Sequence, residues 1–123
     1  MTTLVKGQYP GGFLVWEVLR DYTRETVTIA SGAGKLAPGT VLGKITSGGK
    51  YTVLTPGASN GSQNAAGILW GQADVTDADA PGVVLVRGPA IVNRHEIIWP
   101  EAATEAQITT ATTALKALGI ILR

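Results

Sequence analysis

Residues 35–57, KLAPGTVLGKITSGGKYTVLTPG, alternate short apolar runs with turns that contain glycine and proline. The turns are Pro38-Gly39, Ser47-Gly48-Gly49 and Pro56-Gly57. Glycine adopts the positive φ that tight turns need, and proline presets the φ of the first turn residue. This spacing therefore predicts a series of short strands joined by hairpins.

Further strands are predicted on both sides of this stretch. Thr26–Ile29 is rich in β-branched residues, and residues 66–73 are typical of a strand that is buried on both faces. Residues 83–86 and 90–93 form two more apolar runs around Arg87-Gly88-Pro89. The chain is therefore expected to be mainly β.

One α-helix is predicted near the C-terminal end. Trp99-Pro100-Glu101 is expected to open this helix, and Thr104 with Gln107 three positions later fits a capping box. The helical spacing places four apolar residues on one face, namely Ile108, Ala111, Leu115 and Leu118. Gly119 is placed to end the helix, so residues 120–122 are expected to form a terminal strand or to pack into the core.

Composition limits the class of protein. The 123 residues suffice for one domain, and 45% hydrophobic against 15% charged residues argue against a chain disordered throughout. A net charge of +1 argues against a nucleic-acid-binding module. The absence of cysteine favours synthesis in the cytosol. No apolar stretch approaches the roughly 20 residues of a membrane span, and no secretory signal is recognisable.

No motif predicts catalysis, a metal site or a cofactor. The turn Ser31–Lys35 resembles a phosphate-binding loop, but Ile29 and Leu36 stand where that motif needs glycine and serine or threonine. The acidic residues of 74–79 lack the spacing of a calcium-binding loop, so a solvated loop is expected there. His95 is the only histidine, and no serine lies in a nucleophile elbow. We therefore predict that the chain is not an enzyme and needs no cofactor.

Two strings, Ala66-Gly67-Ile68-Leu69 and residues 97–103 (IIWPEAA), resemble the head decoration proteins of tailed bacteriophages, the family of the lambda capsid protein D. The order of features agrees with this family: an N-terminal arm, an apolar strand, the Gly-Ile-Leu strand and the Trp-Pro-Glu-Ala string. The resemblance covers roughly Leu36 to the C-terminal end. The segment Phe13–Gly34 departs from it, because it is longer and more apolar than the lambda-type arm.

The resemblance implies a small barrel-like β domain of the β-tulip type, with one C-terminal α-helix and an extended N-terminal arm. It assigns residues 1–25 to a capsid-binding arm and residues 26–123 to the decoration domain. It further implies a homotrimer that binds the outer surface of an expanded phage head at three-fold and quasi-three-fold sites. There the trimer would act as a cement against internal DNA pressure, and its arm would add a strand to the major capsid protein.

Two sets of residues are expected to carry this role. The side chains expected to reach the capsid are Val5, Tyr9, Phe13, Val15 and Trp16. The residues expected to pack in the core or between trimer subunits are Gly67, Ile68, Leu69, Trp70, Trp99, Pro100 and Glu101. No nucleic acid or membrane partner is expected.

Two alternatives stay open at this point. Phe13–Leu19 also fits a strand or a helix that packs on its own domain. The whole chain also fits a small β-barrel that binds a carbohydrate or a peptide on a virion or cell surface, with Trp16, Trp70 and Trp99 as stacking platforms.

Overall fold

Short strands dominate the structure, a computed structural model that describes residues 12–101 and 103–123. The strands are β1 (Leu14–Glu17), β2 (Arg24–Ile29), β3 (Gly34–Leu36), β4 (Val41–Lys44), β5 (Tyr51–Val53), β6 (Ala65–Leu69), β7 (Ala73–Val75), β8 (Ala80–Leu85), β9 (Ala90–Val92) and β10 (Ile120–Leu122). The helical elements are α1 (Arg20–Thr23), a 3-10 turn (Arg94–Glu96) and α2 (Glu105–Ala117). The prediction of a mainly β domain with a C-terminal helix is confirmed.

Five strands form the barrel. They pair in the order β2-β5-β4-β6-β8, and β8 pairs again with β2. The β2–β8 ladder is the longest of these, whereas β2 meets β5 only at Ile29 and Tyr51. The barrel-like architecture expected from the resemblance is thus present.

Both ends of the described chain lie in one three-stranded sheet. Its order is β1-β9-β10, with β9 antiparallel to β1 and parallel to β10. Residues 120–122 therefore form a terminal strand, which is one of the two placements predicted for them. A separate pair of strands, β3 and β7, packs beside the barrel.

The stretch 66–73 is not one continuous strand. Strand β6 ends at Leu69, and β7 begins at Ala73 and pairs with β3 outside the barrel ladder. Leu69 and Trp70 donate backbone hydrogen bonds to Thr40 and Val83, respectively, on two different neighbouring segments. The single apolar run is divided because its two halves pair with different partner strands.

Helix α2 begins later than the Trp-Pro-Glu string. Thr104 is its N-cap and forms the predicted capping box with Gln107, so residues 99–101 precede the helix and do not open it. The hydroxyl of Thr104 accepts from the backbone N–H of Gln107, and the Gln107 side chain accepts from that of Thr104. Gly119 follows the helix at a φ of 90°. No helix within the described residues has the length and apolarity needed to cross a membrane.

Two clusters of buried side chains form the core. One cluster joins the barrel to the three-stranded sheet and α2; its buried members are Phe13, Val41, Leu54, Ala65, Ile68, Leu85, Ala90, Val92, Ile97, Ala111, Leu115 and Ile120. The other joins the barrel to the β3–β7 pair; its buried members are Ile29, Leu36, Leu42, Tyr51, Leu69, Ala73, Val75, Val84 and Val86. Leu118, the last residue of the predicted helical stripe, is exposed, because the chain has already left the helix there.

Candidate functional site

An exposed apolar surface lies at the start of the described chain. Its five large side chains are Val15, Trp16, Val18, Leu19 and Tyr22, which we call the N-terminal apolar surface. Val15 is 61% exposed, and Trp16 is 50% exposed. The other exposed large apolar side chains of the described residues are Val83 and Leu118. Concentration of exposed apolar groups in one short segment is typical of an interaction surface.

A bulge in β1 places two consecutive side chains of this surface in solvent. The register of β1 on β9 shifts between Leu14 and Trp16, so Val15 and Trp16 are both exposed while their flanking residues are partly buried. A bulge inserts one extra residue into a strand and interrupts the alternation of its faces. Trp16 lies opposite Ile91 in the neighbouring strand.

A charged cluster fixes the segment behind this surface. The Glu17 carboxylate accepts hydrogen bonds from the Thr23 hydroxyl at 2.6 Å and from the Arg24 guanidinium, with which it forms an ion pair. The Arg24 guanidinium carbon lies 3.3 Å from the centroid of the Trp70 ring, within the range of a cation–π interaction. The carboxylate, guanidinium and indole together hold β1 and the start of β2 against the end of β6.

Phe13 does not belong to the exposed set. The sequence predicts a contact with the capsid for this side chain, but it is only 2% exposed and lies in the protein's own core. Its ring meets the Trp70 ring edge-on, with centroids 5.7 Å apart and planes at 73°. Burying a phenyl ring against the barrel and an aromatic neighbour is more favourable than leaving it in solvent. Val5 and Tyr9, from the same set, lie outside the described residues.

Residues 14–17 and 24–25, on the N-terminal side of the expected domain boundary, are paired within the folded body. Leu14–Glu17 pairs with β9, and β2 begins at Arg24, so a boundary after residue 25 falls inside a strand of the barrel. The alternative placement of Phe13–Leu19 on its own domain agrees with strand β1. The side chains of Val15 and Trp16 nevertheless remain exposed on that strand.

Charged groups border the N-terminal apolar surface beside Tyr22. The Arg87 guanidinium donates to the backbone carbonyl of Tyr22 and forms an ion pair with Glu25. Its central carbon also lies 5.3 Å from the centroid of the Tyr22 ring. An apolar centre with a polar rim is the usual composition of a protein–protein interface.

The Gly67-Ile68-Leu69 string lies inside the body. Ile68 and Leu69 are fully buried, and they belong to the first and second core clusters, respectively. Gly67 lies where β6 approaches β8: a Cβ there would meet Val84 Cγ1 at 2.6 Å. For these three residues, the structure therefore shows packing within the core.

Trp70 and the Trp-Pro-Glu string lie between the core and the surface. Trp70 and Trp99 are partly buried and pack against the first core cluster. Pro100 is partly buried, and Glu101 is exposed. Trp99 and Pro100 line an open cleft that also includes Leu36. Arg24 occupies one face of the Trp70 ring, the kind of face that a sugar-stacking platform needs, and Phe13 makes a T-shaped contact with the same ring.

The acidic residues near β7 take part in local contacts. The Asp79 carboxylate accepts from Lys50 and from the backbone N–H of Ser31, which hold its pKa below the usual 3.8. Asp74 accepts from the hydroxyl and backbone N–H of Thr76, which likewise lower its pKa. No group of three potential metal-ligating side chains occurs among the described residues.

Sequence reasoning missed Val18, Leu19 and Tyr22 as members of the exposed surface. Their apolar character was visible, but it equally fits a buried helical stripe. Sequence reasoning also missed the contact between Arg24 and Trp70. No pattern predicts that contact, because Arg24 begins β2 whereas Trp70 follows the end of β6, far along the chain.

One comparison with known proteins finds a matching family. A family model described as bacteriophage lambda head decoration protein D matches residues 3–120, nearly the whole chain. A search of curated protein sequences finds no match. The family match includes the Gly-Ile-Leu and Trp-Pro-Glu strings and also the N-terminal segment in which the resemblance was weakest. The chain belongs to the family of the bacteriophage lambda head decoration protein D, structural proteins of the phage capsid.

Proposed function

We propose that this protein is a trimeric cement on the outer surface of an expanded phage head, bound at three-fold and quasi-three-fold sites. The observation that carries the proposal is the family match over residues 3–120. In this role the protein stabilises the shell against internal DNA pressure by binding alone, without a chemical step. Its near-neutral net charge of +1 suits a surface position that does not contact the genome.

The arm that reaches the major capsid protein consists of residues 1–12 in this proposal. Its boundary differs from the expected residue 25 because Phe13 is buried and residues 14–17 form β1. Val5 and Tyr9 are the proposed contacts of the arm itself. An extended segment can add a strand to an exposed sheet edge, where backbone hydrogen bonds give affinity and side-chain pockets give specificity.

The trimer supplies the affinity that one arm lacks. A segment that becomes ordered on binding loses conformational entropy, so a single arm of about 12 residues binds modestly. Three linked arms make the second and third contacts intramolecular, which raises the overall affinity by a factor of about 10²–10⁴. Trimerisation and arm binding are therefore coupled in this mechanism.

Two measurements test the proposal. The mass in solution at micromolar concentration is expected to be three times that of the chain. Purified expanded heads that lack decoration protein are expected to cosediment with the full chain, and much less with a variant that lacks residues 1–12. Unchanged cosedimentation of the truncated trimer would refute the arm mechanism. A stable monomer that binds glycans instead of heads would favour the carbohydrate-binding alternative.

A further inference from the structure

We infer that the N-terminal apolar surface is a second capsid contact, which lies on the folded body and docks onto an apolar part of the shell beside the site of the arm. The inference rests on the proposed function and deepens it. It concerns Val15, Trp16, Val18, Leu19 and Tyr22, the exposed apolar side chains of residues 15–22.

The surface extends beyond its own segment. Trp16 lies in register with Ile91 of β9, which in turn lies in register with Ile121 of β10, and both isoleucines are partly exposed. This row of three apolar side chains crosses the whole three-stranded sheet. Val18 donates a backbone hydrogen bond to Pro89, whose side chain is also exposed. The exposed apolar area therefore extends from residues 15–22 across β9 to β10.

The face is held in place before any partner binds. Phe13 is buried at one end of the segment, and the Glu17 carboxylate is bound to Thr23 and Arg24 at the other. The backbone carbonyl of Leu19 accepts from Tyr22 and Thr23, which closes the turn α1. A preformed surface loses little conformational entropy on binding, so each apolar contact contributes more to affinity than a contact on a flexible arm.

Continuity with the proposed arm, in a family whose members associate with the phage capsid, favours the shell as the occupant of this face. The arm ends at Gly12, and β1 begins at Leu14, so a shell strand that holds the arm lies only a few residues from Trp16. A residue of extended chain spans about 3.3 Å, so Trp16 lies at most about 13 Å from Gly12 and a shell segment paired with the arm would border the face.

A second copy of the chain fits the same face less well. Neighbouring subunits of a cyclic trimer meet through two different surfaces. Among the described residues outside the face, the exposed large apolar side chains are Val83 and Leu118, so no second surface carries a comparable group of them. The shell therefore remains the occupant that the observations favour.

A double variant, Trp16→Thr with Leu19→Gln, tests the inference on the full chain. Threonine keeps the strand propensity at Trp16, and the backbone hydrogen bonds of Leu19 do not involve its side chain. We expect an unchanged trimer mass and about tenfold or greater weakening of head binding, because truncated tryptophans are frequent interface hot spots. Val83→Thr is the control, since it alters an exposed valine outside the face, and its binding is expected to match that of the wild type.

Two results would overturn the inference. In the first, the folded double variant binds heads as well as the wild type does. In the second, the double variant no longer forms a trimer, which would place the face between subunits. If the double variant fails to fold, the single variant Leu19→Gln is measured in the same way, with the same criteria. If the proposed function itself is wrong, the result differs, because the wild-type chain would then not cosediment with heads.

Discussion

Gly67 lies where strand β6 approaches strand β8 closely. The nearest atoms to an added Cβ would be Val84 Cγ1 at 2.6 Å and the Leu85 carbonyl oxygen at 2.8 Å. One of these is backbone in the barrel ladder, so it cannot move without disturbing the pairing of β8. The glycine of the Gly-Ile-Leu string is therefore needed for close packing.

We expect Gly67→Ala to lower the free energy of unfolding by about 1–3 kcal/mol, since inserting a methyl group into a packed core forces neighbouring atoms to shift. Gly71→Ala is the matched control, because an added Cβ there meets no atom within 4 Å. Denaturant unfolding of both variants measures the difference. Equal stability of the two would contradict the packing role of Gly67.

The Asp79 carboxylate is expected to make the stability of the fold depend on pH under acidic conditions. Its hydrogen bonds from Lys50 and Ser31 lower its pKa in the folded state below the usual 3.8. In the window just below pH 3.8, the unfolded chain binds more protons than the folded one at this group, so acid lowers stability there. At higher pH the carboxylate is ionised in both states, and its full contribution is present.

We expect Asp79→Asn to make stability decline less steeply as the pH falls through that window. Denaturant unfolding measured as a function of pH, compared with the wild type, gives the slope. Asp77→Asn is the matched control: its carboxylate is exposed and makes no ion pair within the described residues. If the stability of Asp79→Asn fell more steeply with decreasing pH than that of the wild type, the predicted direction of the effect would be wrong.

Helix α2 illustrates an element that local sequence defines. Thr104 and Gln107 satisfy each other's backbone N–H groups, and Gly119 supplies the positive φ that follows the last turn. These interactions involve residues close together in the chain, so the helix could be predicted from sequence. Its start was nevertheless expected too early, at Trp99-Pro100-Glu101, because the capping box and not the proline sets the first helical residue.

Removal of the N-cap tests this account. We expect Thr104→Ala to lower the free energy of unfolding by about 1 kcal/mol, because the N–H of Gln107 loses its acceptor. Thr113→Ala in the middle of the same helix is the control; threonine there is exposed, and alanine is the better helix former. Thermal or denaturant unfolding is expected to show destabilisation only for Thr104→Ala.

Strand β1 shows where local sequence is insufficient. Its residues fit a helical stripe about as well as an alternating strand, and the bulge between Leu14 and Trp16 breaks the alternation. Only the pairing with β9 decides that Phe13 is buried while Val15 and Trp16 are exposed. The same residues were therefore assigned to one arm from sequence, although the fold divides them between core and surface.

In the molecule as a whole, β1 brings the two ends of the described chain into one sheet. Strands β1 and β10 both pair with β9, and Phe13 contributes to the core cluster that contains Leu115 and Ile120. Loss of residues 13–19 is therefore expected to lower stability more than loss of residues 1–12.

We expect deletion of residues 1–19 to lower the free energy of unfolding by about 3 kcal/mol or more, because it removes a buried phenylalanine. It also leaves Arg24 without its carboxylate partner. Deletion of residues 1–12 is the control and is expected to leave stability nearly unchanged. Denaturant unfolding of both truncated chains provides the comparison, and equal stability would contradict the assignment of β1 to the body.

The sequence alone determined most of the strands, the capped helix and the family, because turn residues, capping pairs and short motifs act over a few neighbouring positions. The tertiary structure decided the burial of Phe13, the stacking of Arg24 on Trp70 and the exposure of Trp16. Burial and stacking depend on which distant segment packs against a side chain, and this is set only when the barrel and the three-stranded sheet come together.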